Sequence, residues 1–357
     1  MSLLLKRVLG GSVLLLSLSN LAFASGFHSL NGGTTGGEGG AVVRATTGTE
    51  IHQAICQREA NDTPLIIHVE GVINHQNTSK VSGSCSTAND KIELKNISNI
   101  SLIGVGEGAL FDELGIHIKN SSNIIIQNVH VRNVKKSGFP LSNGGDAIGM
   151  ETNVSNVWVD HVTLEASGGE DDGFDALFDM KRNTKYVTLS YSILRNSGRG
   201  GLVGNSAKDN QNGPVTFHHN LYENIDSRTP LFRGRLAHVY NNYYKSLNKS
   251  GINARVESKI KVEHNYFGKT KNPLGTFYAD QIGYWQVNGN IFSDQVTWSE
   301  PSEKFKPAGS NPVSTADITI PYEYQLDDAS CIRDIVAKMA GANRGLLVSD
   351  GQCPNRN

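Results

Sequence analysis

The chain has 357 residues, 38% of them hydrophobic and 19% charged, with 33 Lys and Arg against 34 Asp and Glu. That suffices for a packed core in two average domains or one large repeat domain, and it is too polar for a multi-span membrane protein. The near-zero net charge excludes broad electrostatic capture of nucleic acid or an anionic membrane. Thirty-eight glycines and recurrent asparagines predict a chain that turns often rather than a helix bundle.

Residues 1–24 read as an export signal. Lys6 and Arg7 form the charged start, Val13-Leu-Leu-Leu16 opens an apolar stretch running to Leu21, and Ala22-Phe-Ala24 offers a small-residue cleavage site. The stretch is short for a membrane span. Cleavage after Ala24 leaves residues 25–357, in which no linker rich in Pro, Gly or Ser marks a boundary, so the mature chain is read as one secreted domain. In an oxidising compartment its four cysteines can pair. Three connectivities exist, and the spacing favours Cys56 with Cys85 and Cys331 with Cys353, because each pair closes a short segment.

Thr47-Gly-Thr-Glu-Ile-His-Gln-Ala-Ile-Cys56 reads as a capped amphipathic helix closing one end of the molecule. A repeat follows: short alternating apolar segments, each leading to a polar turn, end at Leu102, Ile126, Val159, Leu189, Phe217, Val239, Val262 and Val287. The intervals are 24, 33, 30, 28, 22, 23 and 25 residues. Units of that length, opening on a strand and lacking helical periodicity, fit coils of a parallel β-helix stacked at roughly 4.8 Å. Three positions past the last four of these residues stand Asn220, Asn242, Asn265 and Asn290. Asn both donates and accepts, so in-phase copies can bond along the stack. Residues 300–325 lack periodicity and read as an outer loop, and residues 327–339 read as a C-terminal helix ahead of Gly341.

Asp175 and Asp179 lie four apart in Gly173-Phe-Asp-Ala-Leu-Phe-Asp-Met-Lys181, a strand-like stretch that would put both, with Lys181, on one face. Asp146 falls 20 residues past Ile126 and Asp179 falls 20 past Val159, which places one above the other in adjacent coils. Three such carboxylates repel unless a cation joins them, and oxygen ligands without Cys or His point to calcium rather than zinc. The plain alternative is three acids on a solvated face. Arg199, Arg228 and Arg233 follow on the next coils, where they could clamp the carboxylates of a polyanion or form ordinary surface ion pairs.

Val157-Trp-Val-Asp-His161, Arg228-Thr-Pro-Leu-Phe-Arg233 and Val239-Tyr-Asn-Asn-Tyr243 resemble the polysaccharide lyase family 1 pectate lyases. Thr34-Thr-Gly-Gly-Glu-Gly-Gly40, Val215-Thr-Phe-His-His-Asn220 and the last cysteine pair are similar too. The resemblance implies an all-β, right-handed parallel β-helix with short capping helices that cleaves polygalacturonate by calcium-dependent β-elimination, acting as a monomer. It assigns Asp146, Asp175 and Asp179 to calcium, Arg228 to the base, and Arg199, Arg233, Lys181 and Arg255 to substrate. Some members carry a further acid at the position of Gly144, Glu at that of Asp175, and Lys at that of Arg199. Adjacent Asp160 and His161 suggest a triad, but no Ser or Cys stands at a suitable spacing, so a structural hydrogen-bond cluster is the better reading. His218 and His219 are read the same way. Rival functions are a pectin lyase, which takes neutral methyl esters and needs no metal acids, and a non-catalytic carbohydrate-binding β-helix.

Overall fold

A computed structural model describes residues 25–82, 85–136 and 145–354. The export segment and Gly144 lie outside the described residues. Three parallel ladders wind around one apolar core as a right-handed β-helix.

The first ladder is the repeat read from the sequence. Leu102, Ile126, Val159, Leu189, Phe217, Val239, Val262 and Val287 are register partners from strand to strand. All but the terminal Val287 are buried. The unequal intervals are therefore absorbed by the loops, since a one-residue slip would turn the apolar set outward.

A corner after each strand leads into the second ladder. At successive corners His219, Asn241, His264 and Gly289 hold φ between 51° and 61°, a left-handed conformation at the bend between the two strands. The next residue in each is a ladder asparagine. Asn242 Oδ1 accepts from the backbone and side-chain nitrogens of Asn220, each at 3.0 Å, and Asn265 and Asn290 repeat the pattern one coil on. Asn220, Asn242 and Asn265 are fully buried, so these bonds satisfy groups that water cannot reach. The second ladder then stacks Tyr222 on Tyr244, Phe267 and Phe292, with successive ring centroids 4.6–4.9 Å apart.

The third ladder is a separate sheet of nine strands. Its inner row runs Leu94, Ile118, Met150, Met180, Val203, Phe232 and Ala254, and all seven are buried. Its outer face carries the candidate site.

The ends follow from local rules. The helix Gly48–Cys56 starts in a capping box between Thr47 and Glu50 and buries Ile51 and Ile55 against the first coils. Cys56 pairs with Cys85 and Cys331 with Cys353, as the spacing favoured. The C-terminal segment is a 3-10 turn, Ala329–Cys331, followed by the α-helix Ile332–Met339. It packs on the outside of the second ladder through Ile332, Ile335 and Val336, against Ile193. Residues 300–325 are mostly loop, with one addition: Phe305–Pro307 pairs antiparallel with Leu274–Phe277 and covers the sheet edge.

Candidate active site

Asp179 sits in the strand Phe178–Lys181 with Lys181 two residues on, and the alternation puts both on the outer face. Lys181 Nζ lies 2.9 Å from Asp179 Oδ2 and 3.1 Å from Asp146 Oδ2. Asp179 Oδ1 accepts from the Leu202 N–H at 2.9 Å, which ties the carboxylate to the next coil.

Two sequence expectations need correction. Asp175 does not share the strand of Asp179: the chain bends at Leu177, and Asp175 reaches the site from the preceding segment. Nor does Asp146 stack on Asp179. The register partner of Asp179 is Gly149, because the loop ahead of the strand Ile148–Glu151 shifts the phase by three residues. Asp146 still arrives, since a Cβ placed on Gly149 would stand 3.1 Å from Asp146 Oδ2, in the space its side chain uses.

Burial is the first influence on Asp146 and pushes its pKa well up, and the charges of Asp179 and Asp175 push the same way against Lys181. Asp146 Oδ1 is buried with no hydrogen-bond partner. Burial alone would lower the Lys181 pKa, but Asp179 and Asp146 outweigh it and raise it above the usual lysine range. An additional cation would keep Asp146 ionised and satisfy its orphaned oxygen, and the donors are all hard oxygens. The donor set therefore suits calcium in its chemistry. Among the described residues no three His, Cys, Asp or Glu groups stand close enough together, as they lie, to hold a metal ion, and Lys181 Nζ bridges Asp146 and Asp179.

Arg199, at the end of the strand Ile193–Arg199, donates Nη1 to Asp175 Oδ1 at 2.9 Å and Nη2 to Glu170. Glu170 also takes Lys136 Nζ at 3.0 Å. No sequence pattern marks Glu170, which lies in the same Gly-rich turn as Asp171 and Asp172. Those two are exposed.

Arg228, Arg233 and Arg255 behave differently. Among the described residues none of the three guanidinium groups has a carboxylate within ion-pair distance. Arg233 donates Nη1 to Gly204 O at 2.6 Å, and Arg255 bonds Asn253 Oδ1 and Phe277 O. Burial lowers the Arg228 pKa, Arg199 lowers it further, and Asp179, Asp175 and Glu170 oppose. Burial, then Arg228, lowers that of Arg233. Burial, then Arg233 and Arg228, brings that of Arg255 to about 10. Half-buried cations that repel one another and lack internal anions form a groove prepared for an external polyanion.

The Asp160 and His161 pair is structural. Asp160 accepts from Ser190 Oγ at 2.6 Å and lies 2.7 Å from His161 Nδ1, while His161 Nε2 meets Leu347 O at 2.8 Å. Ser190 bonds Asp160 rather than His161, so there is no relay to a nucleophile. His218 and His219 bond each other and anchor Ser25 and Asp327.

A parallel β-helix with buried carboxylates beside a row of unpaired arginines defines a class of polysaccharide-cleaving enzymes acting on acidic chains. The pectate lyase family profile matches residues 1–345. A pectate trisaccharide-lyase from Bacillus licheniformis is 39% identical over 321 residues, covering 89% of this chain and 86% of that protein. Among solved structures, a pectate lyase from Bacillus sp. N165 in complex with trigalacturonate superposes with a TM-score of 0.73 at 33% identity, covering 89% of this chain and 98% of that one. Pectate lyase C from Erwinia chrysanthemi, at pH 9.5 with 30 mM Ca²⁺, gives 0.76 at 28% identity, over 89% and 97%. The chain belongs to the pectate lyase family, polysaccharide lyase family 1, and is an enzyme of that family.

Proposed function

We propose that the mature chain, residues 25–357, is a secreted monomeric pectate lyase that cleaves polygalacturonate by calcium-dependent β-elimination, with Arg228 as the base. The observation that carries the reading is Arg228 itself: a half-buried guanidinium, depressed in pKa, without a carboxylate partner, beside Asp175 and Asp179. Export rests on the features of residues 1–24, and no helix among the described residues is long and apolar enough to cross a membrane.

Asp146, Asp175 and Asp179 would hold the calcium ion. An ion held there would supply Lewis-acid polarisation of the substrate carboxylate, which would make the neighbouring C5 proton more acidic. Arg233, Arg255 and Arg199 orient the uronate chain through its carboxylates, each a bidentate partner for a guanidinium. Lys181 balances the charge of Asp146 and Asp179 and faces the same groove. Arg228 in its neutral form takes the C5 proton, the C5–H electrons form the C4=C5 double bond, and the C4–O4 bond breaks. The departing O4 takes a proton from solvent. Cationic side chains fixed before the reaction stabilise the enolate charge without reorganising.

Mass spectrometry of the products of polygalacturonate tests the reaction class. Elimination gives unsaturated oligosaccharides that have gained no water across the cleaved bond. Fragments each carrying the elements of one water would show hydrolysis and contradict the reading.

A further inference from the structure

The outer face of the third sheet continues beyond Asp179 toward the N-terminal coils. The register puts Glu93, His117, Gly149 and Asp179 in one row and Lys95, Lys119, Glu151 and Lys181 in the next but one. Gly149 contributes no side chain, and a cavity of about 250 Å³ opens around it, bounded by Lys91, His117, Lys135, Glu151, Asp146 and Lys181. His117 is two strand steps from Asp179, each roughly 4.8 Å, a step comparable to the length of one sugar ring.

Two polar groups here lack partners. His117 Nδ1 is buried with no hydrogen bond. The nearest carboxylate oxygens, Glu93 Oε1 at 4.0 Å from Nδ1 and Glu151 Oε1 at 3.8 Å from Nε2, are beyond hydrogen-bond reach. Burial holds the His117 pKa down at about 4, so the ring is neutral at neutral pH and can both donate and accept. Lys135 is exposed, has no carboxylate within ion-pair distance among the described residues, and sits 5.3 Å from the centroid of the Phe174 ring. A buried polar atom left without a partner is costly, and natural sites that keep one often reserve it for a ligand.

We propose that this cavity is a binding site for a galacturonosyl residue on the N-terminal side of Asp179, at the end of the substrate path away from Arg228. His117 bonds a ring hydroxyl, and Lys135 takes the uronate carboxylate at the rim. It rests on the pectate lyase reading and deepens it, since the site decides how many sugars on this side contribute to binding. Neither side chain touches the reacting atoms, so their loss should weaken substrate binding and leave the chemical step alone.

The test is a kinetic series with galacturonate oligomers from trimer to hexamer, run on the wild type, His117→Ala and Lys135→Met. The exposed Lys135 is a safe substitution for folding if His117→Ala proves unstable. For the longer oligomers KM should rise roughly tenfold with kcat unchanged, the loss of about one hydrogen bond to a charged or buried group. For the shortest oligomer that is cleaved, the variants and wild type should converge. Variants whose KM values match the wild type at every length would overturn the site while the lyase reading stands. A wild type that cleaves no oligomer at all would overturn both.

Discussion

Gly149 stands opposite Asp179 across a parallel ladder, and its missing side chain leaves the space through which Asp146 reaches Lys181. The carboxylate cluster is thus built by an absence in one coil and a loop ahead of it. A Cβ at Gly149 would already lie 3.1 Å from Asp146 Oδ2 and 3.4 Å from Asp146 Cβ. Gly149→Val should therefore displace Asp146, cut activity at least roughly tenfold at limiting calcium, and raise the calcium concentration for half-maximal rate. A calcium titration of initial rates checks this; an unshifted half-point would detach Asp146 from the metal.

The acids should not be equivalent. Asp179 is buried, bonded to Lys181 and Leu202, whereas Asp172 is exposed and accepts from the Gly169 N–H of its own turn. Asp179→Asn keeps the shape and the Leu202 bond while removing the charge, so calcium should bind much more weakly. Asp172→Asn should behave as wild type. Parallel calcium titrations giving the same shift for both would undo the assignment.

The asparagine ladder makes a stability prediction that is independent of chemistry. Asn242 Oδ1 accepts two bonds from Asn220, and Nδ2 donates to Phe217 O, Tyr240 O and Asn265 Oδ1, all within buried surroundings. Asn242→Ala strands the buried Asn220 N–H and should cost about 2–3 kcal/mol. Chemical denaturation measures it directly. A loss comparable to that of an exposed asparagine such as Asn205 would show that the ladder is decorative.

Arg228 makes the pH prediction. Burial and Arg199 lower its pKa from the usual arginine value, so the neutral, basic form is scarce at pH 7 and grows as pH rises. The rate should climb well into the alkaline range. Arg228→Lys should lose most turnover, on the order of a hundredfold, with little change in KM. Near-normal turnover, or a raised KM at unchanged kcat, would make Arg228 a clamp and place the base elsewhere.

The sequence carried the fold where burial is periodic. The apolar residues from Leu102 to Val287 proved to be register partners, because a buried ladder tolerates no slip, and the asparagines from Asn220 to Asn290 were legible for the same reason. The third sheet was far less visible. Leu202–Val203 and Leu231–Phe232 are strands of two residues, too short to show alternation. The site was legible in its residue types and in the neighbourhood of Asp179 and Lys181. Its geometry was not, since Asp146 and Asp175 enter from irregular segments that no period describes. Glu170 and His117 carried no signal at all, one being a turn acid among others and the other a histidine in an unremarked strand, Ile116–Lys119.

Ultraviolet absorbance of unsaturated product tests the central claim most directly, using the purified mature protein on polygalacturonate and on highly methylated pectin, each with calcium and with excess chelator. Absorbance should grow on polygalacturonate with calcium, stop with chelator while circular dichroism remains native, and return when calcium is restored. The fold should survive because backbone ladders and buried stacks hold the coils, while the acids line an outer face. Undiminished turnover with chelator, or turnover confined to methylated pectin, would contradict the account.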